Sequence, residues 1–151
     1  MRKNNISEAM GIIVSLSGAI VMIGWFLDIE VLKSVLPGLV TMKFSTALSF
    51  FLSGIMLYFI ARFKKNDREI ASIVIPITSM VIFLLMTSLL VSTAIGVDIG
   101  VEEMFVKESI VAVKSVTPGR PSIATMINFI IIAIFGILSV MDLKRFRKLP
   151  G

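Results

Sequence analysis

The stretch of sequence that decides the fold runs Leu36-Pro37-Gly38-Leu39-Val40-Thr41-Met42-Lys43-Phe44-Ser45-Thr46-Ala47-Leu48-Ser49-Phe50-Phe51. A Pro-Gly turn and a lysine lead directly into an apolar run, a pattern that predicts a loop followed by a membrane helix. A weaker copy appears later as Pro118-Gly119-Arg120-Pro121-Ser122-Ile123-Ala124-Thr125-Met126-Ile127-Asn128-Phe129. At one constant offset, three positions align with three others: Thr46, Leu48 and Phe50 with Thr125, Ile127 and Phe129. We therefore expect one domain, residues 1–151, built from two tandem helix-loop-helix repeats at about residues 6–66 and 69–148.

The composition is typical of an integral membrane protein. Of the 151 residues, 56% are hydrophobic, and the mean hydropathy is +0.98, whereas soluble domains are about 45–50% apolar. The apolar residues are concentrated in four runs, near residues 9–27, 44–63, 70–95 and 123–141. Each run is long enough to cross a hydrocarbon core of about 30 Å as a helix. The sequence predicts an all-α fold with four transmembrane helices.

Two loops join the predicted helices on one side of the membrane, and each has room for a short helix in the interface. Residues 29–36 precede the Pro37-Gly38 turn, and residues 101–112 place several apolar side chains roughly on one helical face. We expect short interfacial helices at both places.

The distribution of Lys and Arg predicts the orientation. Of the 15 basic residues, ten lie at the N-terminus, between the second and third runs, and in the C-terminal tail. The other five lie in the two loops: Lys33, Lys43, Lys107, Lys114 and Arg120. The positive-inside rule then predicts a multi-pass protein of the cell membrane with both termini in the cytoplasm. Because each repeat has an even number of spans, both repeats should share one orientation, related by an axis along the membrane normal.

Several classes of function are disfavoured by what the sequence lacks. There is no cysteine and no histidine, so thiolate or imidazole metal sites, a cysteine nucleophile and the usual general base, histidine, are excluded. The apolar runs carry no ionisable residue near their middle, which disfavours transport. The net charge is +5, and the basic residues cluster at the ends of the apolar runs. This pattern is typical of residues that set membrane topology, so we expect no nucleic-acid partner. We expect a protein that is not an enzyme and has no cofactor.

Much of the chain resembles the multi-span membrane input domain found at the N-terminus of bacterial and archaeal PAS-type sensor histidine kinases and diguanylate cyclases. In the first half, the resemblance rests on Gly24-Trp25-Phe26-Leu27-Asp28-Ile29, Leu32-Lys33-Ser34-Val35-Leu36-Pro37-Gly38, Thr41-Met42-Lys43 and Thr46-Ala47-Leu48-Ser49-Phe50. In the second half, it rests on Gly96-Val97-Asp98-Ile99-Gly100-Val101-Glu102-Glu103-Met104-Phe105 and on residues 119–127. Phe44-Ser45 replaces a Pro-Asn pair of the family.

The resemblance implies an input module that senses a signal in the membrane or at the outer loops. In the family a PAS, kinase or cyclase module follows the last span, whereas no such output domain follows in this sequence. The resemblance therefore implies that a separate cytoplasmic partner would receive the signal.

Two basic residues are candidate ligand contacts. Lys43 and Arg120 each precede a predicted span, where helix amides favour anions, so they could contact an anion or a lipid headgroup. The alternative is that both snorkel beside a helix start, with Ser45 or Thr46 and Ser122 as N-caps. A second candidate, the acidic group of Asp98, Glu102, Glu103 and Glu108, is either a weak site for a hard cation or a solvated helix face.

Pairs of small residues four apart predict helix-packing faces. The pairs are Gly11 and Ser15, Ser49 and Ser53, and Ser88 and Ser92. Such pairs let membrane helices approach closely. They could hold the four helices together or bind the helix of a partner.

Two functions remain open. The first is a non-enzymatic, sensor-like or helix-interaction module that acts through helix packing and its outer loops. The second is a small non-catalytic accessory subunit of a larger membrane enzyme complex, such as a monooxygenase or respiratory assembly. Both place the chain in a lipid bilayer, with either other membrane subunits or a cytoplasmic signalling protein as partner.

Overall fold

The computed structural model of the protein describes residues 2–33, 41–63, 68–97, 100 and 120–146. All regular structure in these ranges is helical: α1 (Arg2–Phe26), α2 (Glu30–Lys33), α3 (Phe44–Arg62), α4 (Arg68–Ile95) and α5 (Ile123–Phe146). Four of these helices are long and apolar enough to cross a membrane, over Asn5–Phe26, Phe44–Arg62, Glu69–Ile95 and Ile123–Met141. The prediction of an all-α protein with four such helices is confirmed.

The long helix α3 lies at the centre of the arrangement. It contacts α1, α4 and α5, and α4 and α5 also pack on each other. Among the described helices, α1 contacts only α3 and the short α2. We call the end of the arrangement where α1 and α4 finish and α3 and α5 begin the loop end. The opposite end, where α1 and α4 begin and α3 and α5 finish, is the terminal end.

Most of the buried apolar residues form two clusters where α3, α4 and α5 meet. The larger cluster joins α4 to α5 (Ile82, Leu85, Met86, Leu89, Met126, Phe129, Ala133), and Leu48 and Leu52 of α3 pack against it. The smaller cluster lies nearer the terminal end and joins all three helices (Met56, Ala71, Ile75, Val140). Elsewhere the helices expose large apolar side chains, such as Leu16 and Phe135, which suits a helix surrounded by lipid.

The first residues of α3 and α5 test the predicted N-caps, and one of these predictions is wrong and the other is confirmed. Helix α3 begins at Phe44 with Lys43 in the N-cap position and no side-chain cap. Ser45 and Thr46 therefore lie inside the first turn, and their prediction as caps is wrong. Ser122 does cap α5, because its hydroxyl oxygen accepts a hydrogen bond from the amide of Thr125 at 3.2 Å.

The loops are described in part. The predicted helix over residues 29–36 is present as the shorter α2, and residues 34–40 lie outside the described ranges. The predicted helix over residues 101–112, the acidic residues Asp98, Glu102, Glu103 and Glu108, and both Pro-Gly turns also lie outside the described residues.

Candidate functional site

A hydrogen-bonded group at the loop end joins α1, α2 and α3. The indole Nε1 of Trp25, near the end of α1, donates to the carbonyl oxygen of Met42 at 2.8 Å. The amide of Met42 in turn donates to the carbonyl oxygen of Lys33 at 2.8 Å. The last turn of α1 and the residues before α3 are thus held together by a side chain and by backbone. We call Trp25, Asp28, Lys33 and Met42 the first end network.

Lys33 folds inward in this network, although the sequence placed it among the charges of an outer loop. Its side chain forms an ion pair with Asp28 and its ammonium lies 4.8 Å from the centroid of the Trp25 ring. Only 7% of Lys33 is exposed. An ion pair and a cation–π contact both stabilise a buried ammonium, so this lysine has a structural role at the loop end.

The backbone of the first end network turns sharply. Asp28 has a φ of 55°, in the left-handed region that only a few residue types such as Asp and Asn adopt at low cost. The amide of Ile29 donates to the carbonyl oxygen of Gly24 at 2.9 Å. A Cβ on Gly24 would lie 2.6 Å from the Cβ of Leu32, so glycine allows α2 to fold back on α1. The Gly24–Ile29 segment on which the resemblance rests is therefore part of one structural unit.

A second hydrogen-bonded group joins the end of α4 to the start of α5. One guanidinium nitrogen of Arg120 donates to the hydroxyl oxygen of Ser92 at 2.9 Å and to the carbonyl oxygen of Val97 at 3.1 Å. The Ser92 hydroxyl donates to the same carbonyl at 2.6 Å. We call Ser92, Val97 and Arg120 the second end network.

The position of Arg120 at a helix C-terminus suits its charge. Helix α4 ends with Gly96 at a φ of 72°, and the amides of Gly96 and Val97 both donate to the carbonyl oxygen of Ser92. The carbonyls at a helix end carry partial negative charge, and a partly buried cation there is favoured by about 1–2 kcal/mol. Arg120 is 8% exposed, so most of this interaction is shielded from water.

The predicted ligand contacts Lys43 and Arg120 both belong to the loop end, and both are buried. Lys43 is 6% exposed and occupies the N-cap of α3 with an extended backbone. The described hydrogen bonds of Arg120 run to α4, a partner that its position before α5 did not suggest. Within the described part of the chain, no group of three or more acidic side chains gathers that could hold a metal ion.

The predicted packing pair Gly11 and Ser15 lies where α1 crosses α3. A Cβ on Gly11 would lie 2.8 Å from the amide nitrogen of Tyr58 and 2.9 Å from the carbonyl oxygen of Gly54. A Cβ on Gly54 would in turn meet the backbone of Ser15 and Gly11. The backbones of α1 and α3 approach so closely here that only glycine fits at position 11 of α1 and at position 54 of α3.

Nearer the loop end, α1 and α3 make a second close backbone contact at Gly18, a residue that the predicted pairs did not include. Its Cβ would lie 2.5 Å from both the carbonyl oxygen of Ala47 and the amide nitrogen of Phe51. Gly11 and Gly18 are seven residues apart, as are Ala47 and Gly54. This two-turn spacing on both helices was present in the sequence and could have identified the interface.

The serine pairs divide between packing and hydrogen bonding. Ser49 and Ser53 are buried in α3, and like Ser45 one turn earlier their hydroxyls have no hydrogen-bond partner in the described structure. Ser92 instead belongs to the second end network, and Ser88 donates to the carbonyl oxygen of Leu85 within α4. Three of these four serines, Ser49, Ser53 and Ser92, are buried, but their equal spacing does not distinguish a packing role from a hydrogen-bonding one.

The structure defines an all-helical protein with four candidate membrane spans and a hydrogen-bonded network at the loop end of each helix pair. No protein-family model, curated protein or solved structure matches the chain.

Proposed function

We propose that the protein is a non-enzymatic membrane input module, in which changes at the loop end alter the packing of the long helices. In this proposal the loop end faces outward, both termini are cytoplasmic, and a cytoplasmic protein receives the signal. The observation that carries it is the hydrogen bond from Arg120 to the carbonyl of Val97.

That hydrogen bond joins the two ends of one loop. Val97 lies two residues after the end of α4 and Arg120 three residues before the start of α5, so the residues that flank the segment 98–119 are in contact with each other. A ligand that bound this segment would act on the second end network and hence on both helix ends. Such a buried, charge-assisted group is typically worth about 1.5–3 kcal/mol, which is comparable to the free energy of a signalling equilibrium.

The relation between the two halves is also part of the proposal. We propose tandem repeats whose two-fold axis runs along the membrane normal between α3 and α5. At a two-fold axis, equivalent residues of the two halves contact each other. Phe50 and Phe129, which the repeat alignment equates, form an edge-to-face contact with ring centroids 5.2 Å apart, and this contact supports the repeat.

The repeat is incomplete in one respect. A two-fold axis that relates α1 to α4 and α3 to α5 would give the α3–α4 contact a counterpart between α1 and α5. Among the described residues α1 and α5 make no contact, so α1 lies at the edge of the arrangement. Of the two long helices in the first half, α3 alone packs against the second half, through both α4 and α5.

The test of the signalling proposal uses distances between spin labels, because the chain contains no cysteine of its own. Labels at Ile70→Cys and Met141→Cys, both exposed near the terminal end of α4 and α5, report their separation. Replacing residues 98–119 by a short Gly-Ser linker, or Arg120 by Met, should shift or broaden the distance distribution. Ile77→Ala, on an exposed face of α4, is the control. An unchanged distribution in both test variants would refute transmission from the loop end.

The proposed orientation has its own test. Single cysteines introduced at Asn66 and Ser115 should differ in reaction with a membrane-impermeant thiol reagent in intact cells. The reagent should label the cysteine at position 115 and label position 66 only after lysis. The reverse pattern would invert the topology and place the loop end in the cytoplasm.

A second function, an accessory subunit of a membrane enzyme complex, is favoured by the open side of the arrangement. Helix α1 contacts one long helix, and α5 buries a single stripe of residues, so both leave wide apolar faces to neighbours. Purification from native membranes in mild detergent distinguishes the two functions. Stoichiometric membrane-enzyme subunits would support the second, whereas a cytoplasmic signalling protein would support the first.

A further inference from the structure

The exposed face of α5 carries a polar side chain at membrane depth. Asn128 lies five residues after Ile123, which places it ~7.5 Å along the helix axis inside the candidate span. Its side chain is exposed, and within the described structure it forms no hydrogen bond. A carboxamide offers two N–H donors and a carbonyl acceptor, and leaving them unpaired in hydrocarbon is costly.

Two serines on the outer surfaces of the spans are satisfied within their own helix. The hydroxyl of Ser17 donates to the carbonyl oxygen of Ile13 at 2.8 Å, and that of Ser139 donates to the carbonyl oxygen of Phe135 at 2.8 Å. Such bonds to the preceding turn let serine face lipid at little cost. Asn128 has no bond of this kind, so its exposed amide calls for a partner outside the described chain.

Apolar residues continue the face of Asn128 in a regular pattern. Ala124, Asn128, Ile131, Phe135 and Leu138 follow spacings of four, three, four and three residues, and all are exposed. This is the pattern of a helix–helix seam with a left-handed crossing. It lies on the far side of α5 from the buried stripe that packs inside the protein (Met126, Phe129, Ala133, Gly136, Val140).

We propose that this seam, residues 124–138 of α5, binds the same seam of a second copy of the chain. Two copies inserted in the same orientation are related by an axis along the membrane normal, so their α5 helices would be parallel. Both Asn128 side chains would then lie at one depth, and two carboxamides can exchange two hydrogen bonds reciprocally.

A second copy is favoured over an unrelated helix because its own Asn128 provides the carboxamide that the hydrogen bonds require. A different partner would need its own polar side chain at the depth of Asn128, whereas symmetry guarantees one. Ala124, one turn nearer the helix start, is small enough to allow close approach beside the amide pair. A single polar residue in an apolar seam also fixes the register and number of helices. This inference holds whether or not the protein is an input module.

The experiment is disulfide crosslinking in native membranes, with single cysteines added to the cysteine-free chain. Ile131→Cys lies in the seam and is 45% exposed in the wild type; Ile134→Cys is 42% exposed but lies on a flank of α5. We expect a homodimer crosslink from position 131 and little from position 134. Equal crosslinking at both positions, or none, would overturn the proposal.

A second variant tests the role of the amide. Asn128→Leu in the Ile131→Cys background should weaken dimerisation by about 3- to 30-fold, the range for one interhelical hydrogen-bonded pair in a membrane. Asn128→Gln should retain much of it. The leucine substitution lies on an exposed face, so the heat stability of the monomer in detergent should be unchanged. An unaltered crosslink in Asn128→Leu, or a crosslink from position 131 to another protein, would refute self-association through this seam.

Discussion

The α1–α3 interface is the part of the fold most sensitive to a single added methyl group, and Gly18→Ala is the variant that tests it. The new Cβ would lie 2.5 Å from two backbone atoms of α3, one on Ala47 and one on Phe51. Ordinary van der Waals contact begins near 3.4 Å, so the helices must separate locally by ~0.9 Å. Backbone atoms cannot rotate away, so no side-chain adjustment relieves the contact.

The energetic cost of this separation follows from the weaker packing between the two helices. A gap of 0.5–1 Å removes a quarter to a half of the dispersion energy of each atom pair. For about 40 atom pairs at about 0.15 kcal/mol each, the loss is about 1.5–3 kcal/mol. The better helix propensity of alanine, at most about 1 kcal/mol in water, adds little, because separated membrane helices stay helical. Gly18→Ala should therefore destabilise the α1–α3 pair.

The assay is the labelling rate of a thiol at the same interface. Ser15→Cys is nearly isosteric, and position 15 faces Gly54, so it should react mainly when α1 separates from α3. A loss of 1.5–3 kcal/mol should raise the labelling rate about 10- to 150-fold. Ser17→Ala, an adjacent exposed position, should change the rate by less than about 2-fold. Equal or slower labelling in Gly18→Ala would refute the close backbone contact.

Three further sets of substitutions test the second end network, the repeat contact and the helix starts. Arg120→Met should lower the unfolding temperature in detergent by removing about 1.5–3 kcal/mol of charged hydrogen bonding; equal stability of Arg120→Lys and wild type would argue against the bonding geometry. A double-mutant cycle of Phe50→Ala and Phe129→Ala, read by the same unfolding assay, should give a coupling of about 0.5–1.5 kcal/mol, and zero coupling would contradict the ring contact. Ser122→Ala should lower the stability of the protein by about 0.5–2 kcal/mol, because it removes the N-cap of α5. Ser45→Ala should be neutral or stabilising, because the buried hydroxyl of Ser45 has no partner among the described residues. If Ser45→Ala instead cost more stability than Ser122→Ala, the assigned start of α3 would be rejected.

Most of the fold could be predicted from the sequence because hydropathy and charge act over whole helices. Four apolar runs bounded by basic residues predicted all four long helices. Single-residue assignments at helix starts were less dependable. Ser122 was correctly predicted as a cap, but Ser45 and Thr46 are not caps, because α3 begins before both of them, at Phe44, with Lys43 in the N-cap position.

The site could be predicted only where it depends on local spacing. Gly11 and Ser15 were recognised as a packing face by their separation of four residues. The second end network could not be recognised, because Val97 and Arg120 are separated by residues 98–119 in the sequence and meet only once α4 and α5 are paired. The burial of Lys33 was missed for a related reason: its ion pair with Asp28 depends on the left-handed turn at Asp28, which no simple sequence signal indicates.

The two helix pairs are held by different kinds of contact, and this difference bears on how a signal would travel. Helix α1 meets α3 backbone to backbone at Gly11 and Gly18, and such contacts permit little displacement. Helix α5 meets α4 through flexible side chains such as Met86 and Met126, which can repack at low cost. A change at Arg120 would therefore move α5 more readily than α1. Because α5 also carries the seam around Asn128, movement at the loop end and self-association would act on the same helix, and labels on α5 should report both.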